Sequence, residues 1–575
     1  MAPADDQHSN DDERRGILTK SYASAQLMWK FKHLIPAVVT TTVRYYAPFS
    51  PFDPSWSLST SLFVAIANRH MTHLRLKRSS TVDDDEAAVI REAKRSRDAL
   101  ERLIVPRELP KNGAIHEVRF TVKRRNLSGV LRDADEQETG QRLVPAEWSA
   151  HDVVFEPGGH LSNNNNNKVL LYLHGGAYIR LSPRTHRPLC LQLSKQLNCR
   201  VLSVDYRLSP ETKFPGALHD AVSAYFYLTD GEFGINTHTH SLQLKIPANE
   251  IIVAGDSAGG NLAIALVTYL RDSSSSMVAG AILLSPWVDL TSSFASWDSN
   301  ASTDYIAMDR NDPQRPQNLF VRRPSQGPAG PEHEHDDLHD RYVSPSIALP
   351  GQTLFERFPP TFVLAGGSET LRDEITLFVD RLDRDGVDVE YEIFRGGVHV
   401  FVAVMADGIG KQAIRNIGSW VERKFPPLST TTTTGAPPSP SRGWQDVELG
   451  LERAYEAKEA RLLLLAASSS SVASTTTTGN NNNNNDKVRS KEQRDHSTTT
   501  NERFIYDETF EPAPRIKLRQ DADPDPVAVA AFEHYQLDHD RRRGGGGGGG
   551  GGTKIVRPKL NPAYYEGGLW ARLHL

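Results

Sequence analysis

The sequence predicts an α/β architecture: a mostly parallel central sheet with helices on both faces, and a long tail outside it. Three observations carry this. From residue 169 to residue 425, short apolar segments alternate with longer amphipathic ones, the pattern of parallel strands stacked between helices. Four residues able to do chemistry, His174, Ser257, Glu369 and His399, each fall just after a predicted strand. In such sheets the carboxyl ends of the strands form the ligand crevice. Beyond residue 425 the composition shifts to Thr, Asn, Ser and Gly runs, which cannot build a core.

Taken in order, residues 1–25 are polar and charged without periodicity and read as disordered. Residues 26–113 read as helical. Within them 87–103 is amphipathic, with Val89, Ile90, Ala93, Leu100 and Leu103 on the inward face. The stretch 114–156 alternates like strands, through Val118, Phe120 and Val122 and then Val144 and Trp148. The regular unit follows. Strands are predicted over 169–173, 200–205, 251–254, 279–284, 361–365 and 389–394, and helices over 187–197, 216–228, 262–270, 371–385 and 411–425. Insertions interrupt it at 163–167 (five Asn), 231–245 and 310–340, the last long enough for a lid. In the tail, 444–465 reads as one helix between Ser/Thr/Pro-rich, Thr-rich, Asn-rich and polyglycine stretches. The predicted organisation is a disordered 1–25, a helical cap region 26–113, a catalytic domain 114–425 and a mostly disordered tail 426–575.

At 575 residues the chain can bury a large core. Its net charge of −5 and the lack of a basic stripe argue against a nucleic-acid partner. Cys190 and Cys199 are the only cysteines, too few for a disulfide scaffold, so free thiols in a reducing compartment are expected. The first 20 residues carry no apolar core of a secretory signal, which gives an intracellular expectation, cytoplasmic or peripheral to a membrane. Apolar runs at 34–43 and 56–67 are cut by Lys30, Lys32, Arg44, Asp53 and Arg69, short of the roughly 20 residues a span needs. The stretch 28–46 mixes Trp29, Phe31, Leu34 and Tyr45 with Lys30, Lys32 and Arg44. It suits either contact with a lipid surface or a helix capping the domain.

The chemistry centres on 251–261, IIVAGDSAGGN. An apolar strand runs into Gly255-Asp256-Ser257-Ala258-Gly259 and then into a helix. This is the G-x-S-x-G turn that lifts a serine hydroxyl clear of its neighbours; the plain alternative is an idle serine on a glycine-rich connection. A serine needs a base and the base an orienting acid. His399, after the last strand, is the base. Glu369 is the expected acid, with Asp373 as its rival one helical turn on. The N–H groups of Gly175, Gly176 and Ala258 are expected to hold an oxyanion. His333, His335 and His339 lie among acids in the long insertion; they are read as a solvated loop rather than a metal site, and no metal is expected. The basic run 541–543 is read as a solvated charge run.

These stretches resemble the hormone-sensitive lipase group of α/β-hydrolases, the GDSAG esterases. The matching residues are His174-Gly175-Gly176, Asp205-Tyr206-Arg207-Leu208-Ser209-Pro210-Glu211, Phe214-Pro215-Gly216-Ala217, 255–260 and Gly397-Val398-His399. The resemblance covers 114–425. It implies the α/β-hydrolase fold, carboxylester hydrolysis, a helical cap from the N-terminal region and the segment after Trp287, and no cofactor. There are two departures. Ala177 stands where the group has a third glycine, and Glu369 where it usually has Asp. The reading is a serine esterase or lipase acting on a hydrophobic ester. Ser257 is the nucleophile, His399 the proton shuttle and Glu369 its orienter, with an acyl-enzyme resolved by water. The alternative is a non-catalytic small-molecule receptor on the same fold, which the joint presence of Ser257 and His399 disfavours.

Overall fold

The computed structural model describes residues 34–47, 56–79, 86–106, 109–110, 112–151, 168–231, 245–306, 315–321, 337–347, 354–405 and 408–426. The expectations for 1–25, for the tail after 426 with its helix at 444–465, and for His333 and His335 lie outside them.

Three helices come first: α1 (Ile35–Tyr45), α2 (Leu58–Ser79) and α3 (Glu86–Ile104). Then follow β1 (Gly113–Thr121), α4 (Arg132–Glu136), β2 (Leu143–His151), β3 (Val169–Leu173), α5 (Pro183–Leu197), β4 (Arg200–Val204) and α6 (Gly216–Asp230). After these come β5 (Ile251–Asp256), α7 (Ala258–Asp272), β6 (Gly280–Leu284), α8 (Ser296–Ser299), α9 (Pro316–Phe320) and β7 (Thr361–Gly366). The unit closes with α10 (Arg372–Arg384), β8 (Val389–Phe394), α11 (Phe401–Val404) and α12 (Ile409–Lys424).

The eight strands form one sheet in the order β1-β2-β4-β3-β5-β6-β7-β8. β1 pairs antiparallel with β2, and β2 with β4. From β4 onward every pairing is parallel. Every residue of β3, β5, β6 and β7 is buried, as a parallel sheet covered on both faces requires. Alternate side chains feed two separate cores. Leu171, Val253, Leu283 and Val363 pack with α6, α7 and α10 residues such as Val222, Leu266 and Phe378. Leu170, Ile252, Ile282 and Phe362 pack with Leu193 of α5 and Trp420 of α12 on the other face. The period-two alternation of a strand makes this division.

Two helices begin a full turn earlier than the sequence expectation: α7 at Ala258, not 262, and α5 at Pro183, not 187. For α5 the cause is the reciprocal capping box that Ser182 and Thr185 form there. Pro183 at the first position fits the start of a helix, and Pro188 is accommodated within it.

The N-terminal helices are tied to the strand ends. The Trp56 indole N–H donates to the Gly396 carbonyl at 2.6 Å, and the Tyr45 hydroxyl donates to the Trp56 carbonyl at 3.1 Å. Asn68 of α2 donates to the carbonyls of Ala301 and Asp304. Arg97 of α3 donates to the carbonyls of Ile179 and Ser209 and pairs with Glu211.

Candidate active site

Parallel strands of the sheet deliver the candidate residues to its carboxyl edge. His174 follows β3, Ser257 follows β5, Glu369 comes after β7 and His399 after β8. Each therefore stands at a carboxyl end, where open α/β sheets bind ligands.

Ser257 sits at φ 53°, ψ −121° between β5 and α7, a conformation that costs an L-residue of order 1–3 kcal/mol. The flanking glycines are dictated by space. A Cβ on Gly255 would lie 2.2 Å from the Gly259 carbonyl oxygen, and one on Gly259 only 2.0 Å from that of Leu173. Ser257 N–H donates to the Leu284 carbonyl at 3.0 Å, and the Ser257 carbonyl accepts from Trp287 N–H at 2.9 Å. These bonds lock the turn against the end of β6.

His399 is buried, 4% exposed, and its Nδ1 stands 3.1 Å from Glu369 Oε2. The other carboxylate oxygen, Oε1, accepts from Gly366 N–H at 3.0 Å. Burial raises the Glu369 pKa; its bond to His399 opposes the rise. Asp373 turns elsewhere, its carboxylate bonded to Arg372 at 3.0 Å. Among the described residues Ser257 Oγ makes no hydrogen bond to His399. Such bonds are commonly long until substrate binds.

The loop after β3 corrects one expectation. Gly175 N–H is not free to hold an oxyanion, because it donates to Asp256 Oδ1 at 3.0 Å. Gly175 is needed for proximity instead: a Cβ there would meet Asp256 Oδ2 at 2.1 Å. Among the described residues the N–H groups of Gly176, Ala177 and Ala258 make no hydrogen bond. Ala177 occupies φ 55°, so the left-handed turn is kept without the third glycine.

A buried His186–Asp256 pair stands behind this loop. Asp256 also accepts from the Tyr172 hydroxyl at 2.6 Å and lies 3.3 Å from His186 Nε2. Burial favours the neutral acid, but His186 and the Tyr172 hydroxyl together hold the Asp256 carboxyl below its ordinary value. Burial likewise opposes charge on His186, yet Asp256 raises it above the usual histidine value. His174 stacks on Tyr206 with ring centroids 4.3 Å apart. Burial and the neighbouring His186 push it down to about 3, so it is neutral at ordinary pH.

Sequence reasoning missed two residues of this edge. Ser285, at φ 47° just after β6, accepts from Val400 N–H at 3.1 Å through its hydroxyl. Asp304, fully buried, accepts from His399 N–H and Thr370 N–H. Ser285 follows a strand and could have been suspected by position; Asp304 lies in the segment after Trp287 and belongs to no motif.

A strand–turn–helix serine and a carboxylate-held histidine at the carboxyl ends of one sheet are the features of a nucleophile-elbow hydrolase site. The model of an alpha/beta hydrolase fold family matches residues 170–403. The acetyl-hydrolase of Streptomyces hygroscopicus is 31% identical over 234 residues, which are 41% of this chain and 68% of the relative. The arylesterase of Saccharolobus solfataricus is 31% identical over 289 residues, 50% of this chain and 84% of the relative. A solved esterase of the bacterial hormone-sensitive lipase family shares 28% identity at a TM-score of 0.43, covering 62% of this chain and 97% of its own. The chain belongs to the α/β-hydrolase family. The matched span contains every motif on which the resemblance to the hormone-sensitive lipase group rests.

Proposed function

We propose that the chain is a serine carboxylester hydrolase working through an acyl-enzyme. The observation that carries this is the Glu369–His399 pair at the sheet edge that also presents Ser257 on its strained turn. His399 takes the Ser257 proton as the hydroxyl attacks the ester carbonyl, then returns it to the leaving alcohol. Glu369 fixes the ring and opposes the charge that forms on it. Gly176, Ala177 and Ala258 N–H groups receive the developing oxyanion, a role worth several kcal/mol in such sites. Water then repeats the attack on the acyl-serine. The esterase and acetyl-hydrolase names of the relatives favour an ester substrate. The test is a p-nitrophenyl ester series from acetate to palmitate, with a fluorophosphonate probe mapped by peptide mass. Turnover with labelling at Ser257, both lost in Ser257→Ala, is expected. Ester binding without turnover or labelling would favour the receptor reading.

The same reading extends to where the substrate is met. Among the described residues no helix is long and apolar enough to cross a membrane. Yet α1 exposes Ile35, Val38, Val39 and Val43 at helical spacing, followed by Tyr46, with Arg44 in its last turn and no acid in its first. Tyr45 and Trp56 tie this helix to the turn that carries His399. We infer that α1 docks on a lipid surface carrying the ester. The full chain should float with phosphatidylcholine–phosphatidylserine vesicles, and Val39→Asp/Val43→Asp should not. Equal flotation of both proteins, or of neither, refutes the docking while leaving the esterase reading intact.

A further inference from the structure

The Asp304 carboxylate joins the loop carrying the candidate acid to the loop carrying the candidate base. Its Oδ1 accepts from His399 N–H at 3.1 Å and from Tyr305 N–H at 2.8 Å. Its Oδ2 accepts from Thr370 N–H at 2.9 Å and from the Thr370 hydroxyl at 3.1 Å. Thr370 adjoins Glu369, and the bond to His399 is to that residue's own backbone. Three of the four donors are backbone N–H groups, which cannot accept. The donors therefore suit an anion; burial raises the Asp304 carboxyl above its ordinary value, and His399 with the three backbone N–H groups opposes that rise.

The surrounding segment grips the same acid loop. Asn300 donates to the Glu369 carbonyl at 2.8 Å, Thr303 to the Ser368 carbonyl at 3.1 Å, and Ser296 to the Thr370 carbonyl at 2.6 Å. From the other side Asn68 of α2 donates to the Asp304 carbonyl at 2.9 Å. The ionisable groups facing Asp304 are His399, Glu369 and Tyr305. Among the described residues no Lys or Arg is bonded to it. A fully buried carboxylate without a basic partner is costly. Its placement here, spanning the two loops, points to a role beyond packing.

We propose that Asp304 is a positioning residue for the hydrolysis: it fixes the backbone of His399 relative to Glu369. It also places a second negative charge beside the imidazole that must become cationic when Ser257 is deprotonated. Its carboxylate touches no substrate atom in this scheme and acts through His399 and Thr370. The role rests on the esterase reading above, and the test separates the two.

The experiment is steady-state kinetics of the full chain and Asp304→Asn on a p-nitrophenyl ester from pH 5 to 9, with fluorophosphonate labelling and melting temperature in parallel. A misplacement of the base on the order of 1 Å costs about 10²-fold. Asp304→Asn should accordingly lower kcat by about that factor, with KM within about two-fold. Loss of a negative charge beside the imidazole disfavours its protonated form. The acid limb of kcat/KM should therefore move to lower pH, which a purely structural residue would not cause. A kcat within about three-fold of the parent overturns the proposal, as does a fall that tracks lost stability with the acid limb unmoved. If Asp304→Asn does not fold, Thr370→Val removes one of the four donors. It should lower kcat several-fold at constant KM, and an unchanged kcat overturns the proposal. If the parent itself neither turns over ester nor is labelled at Ser257, the esterase reading fails rather than this one.

Discussion

Glu369 and His399 meet side chain to side chain at 3.1 Å, and Glu369 is pinned from behind by Gly366 N–H at 3.0 Å. The extra methylene of Glu relative to Asp is absorbed by that second bond. It sets the carboxylate on the turn leaving β7, so the longer side chain is not left to swing.

Removing this acid should expose the division of labour between the neighbouring carboxylates. Glu369→Gln should lower kcat by up to about 10⁴-fold, as loss of the orienting acid does in comparable triads. Asp373→Asn should cost at most a few-fold, since Asp373 bonds Arg372 rather than His399. The check is kcat for both variants beside their melting temperatures; the opposite ranking would move the role to Asp373.

The elbow glycines should be intolerant for steric reasons. Gly259→Ala would force a methyl to within 2.0 Å of the Leu173 carbonyl oxygen. Overpacking of this kind typically costs about 1–3 kcal/mol, and the strand β3 backbone it meets cannot swing aside as a side chain can. Denaturant titration should show that loss, with ester turnover falling further than stability because the serine itself is displaced. An alanine variant as stable and active as the parent would refute this account of the turn.

The His186–Asp256 pair makes stability depend on pH with a definite sign. The folded state raises the His186 pKa above 6.5. Its contribution is therefore complete below that value and lost as pH rises through the folded one. Asp256 is held below 3.8, so its share is lost only as pH falls through that lower folded value. His186→Gln should be markedly less stable than the parent near pH 6, and the gap in melting temperature should narrow toward pH 9. A gap constant across that range would show that the pair is not charged.

Both thiols should be inert in the folded protein. Cys190 and Cys199 are buried and free. Burial raises both, Cys199 to about 12, and the thiolate is the reactive form. Iodoacetamide should label neither without denaturant and both with it; rapid labelling of either native thiol would contradict the packing.

The sheet was legible because its strands are short, continuously apolar and bounded by glycine. Val169–Leu173 lies where the pattern put it, since burial on both faces leaves little choice of residue, and the edge strand Val389–Phe394 was legible from its alternation with Glu390 and Glu392. Ser257 and His399 were visible for a related reason: turns of that shape need Gly at fixed positions. The role of Gly175 was misjudged because a glycine next to a strand signals close approach but not which group approaches; here it is Asp256, 81 residues away. Asp304 was invisible for the same reason. A lone aspartate in a loop gains meaning only when Thr370 and His399, far along the chain, are folded onto it.

The Trp56 indole reaches a carbonyl 340 residues further along, on the turn that carries His399. Synthesis runs in one direction, so the two ends of that bond emerge from the ribosome far apart in time. At about 5–20 residues per second, Trp56 waits tens of seconds for its partner. The nucleophile turn is complete well before the base and its acid exist. A growing chain halted short of β8 thus carries a serine with nothing to activate it. In the proposed mechanism the base is therefore the last of the three groups to be supplied, on the turn after β8.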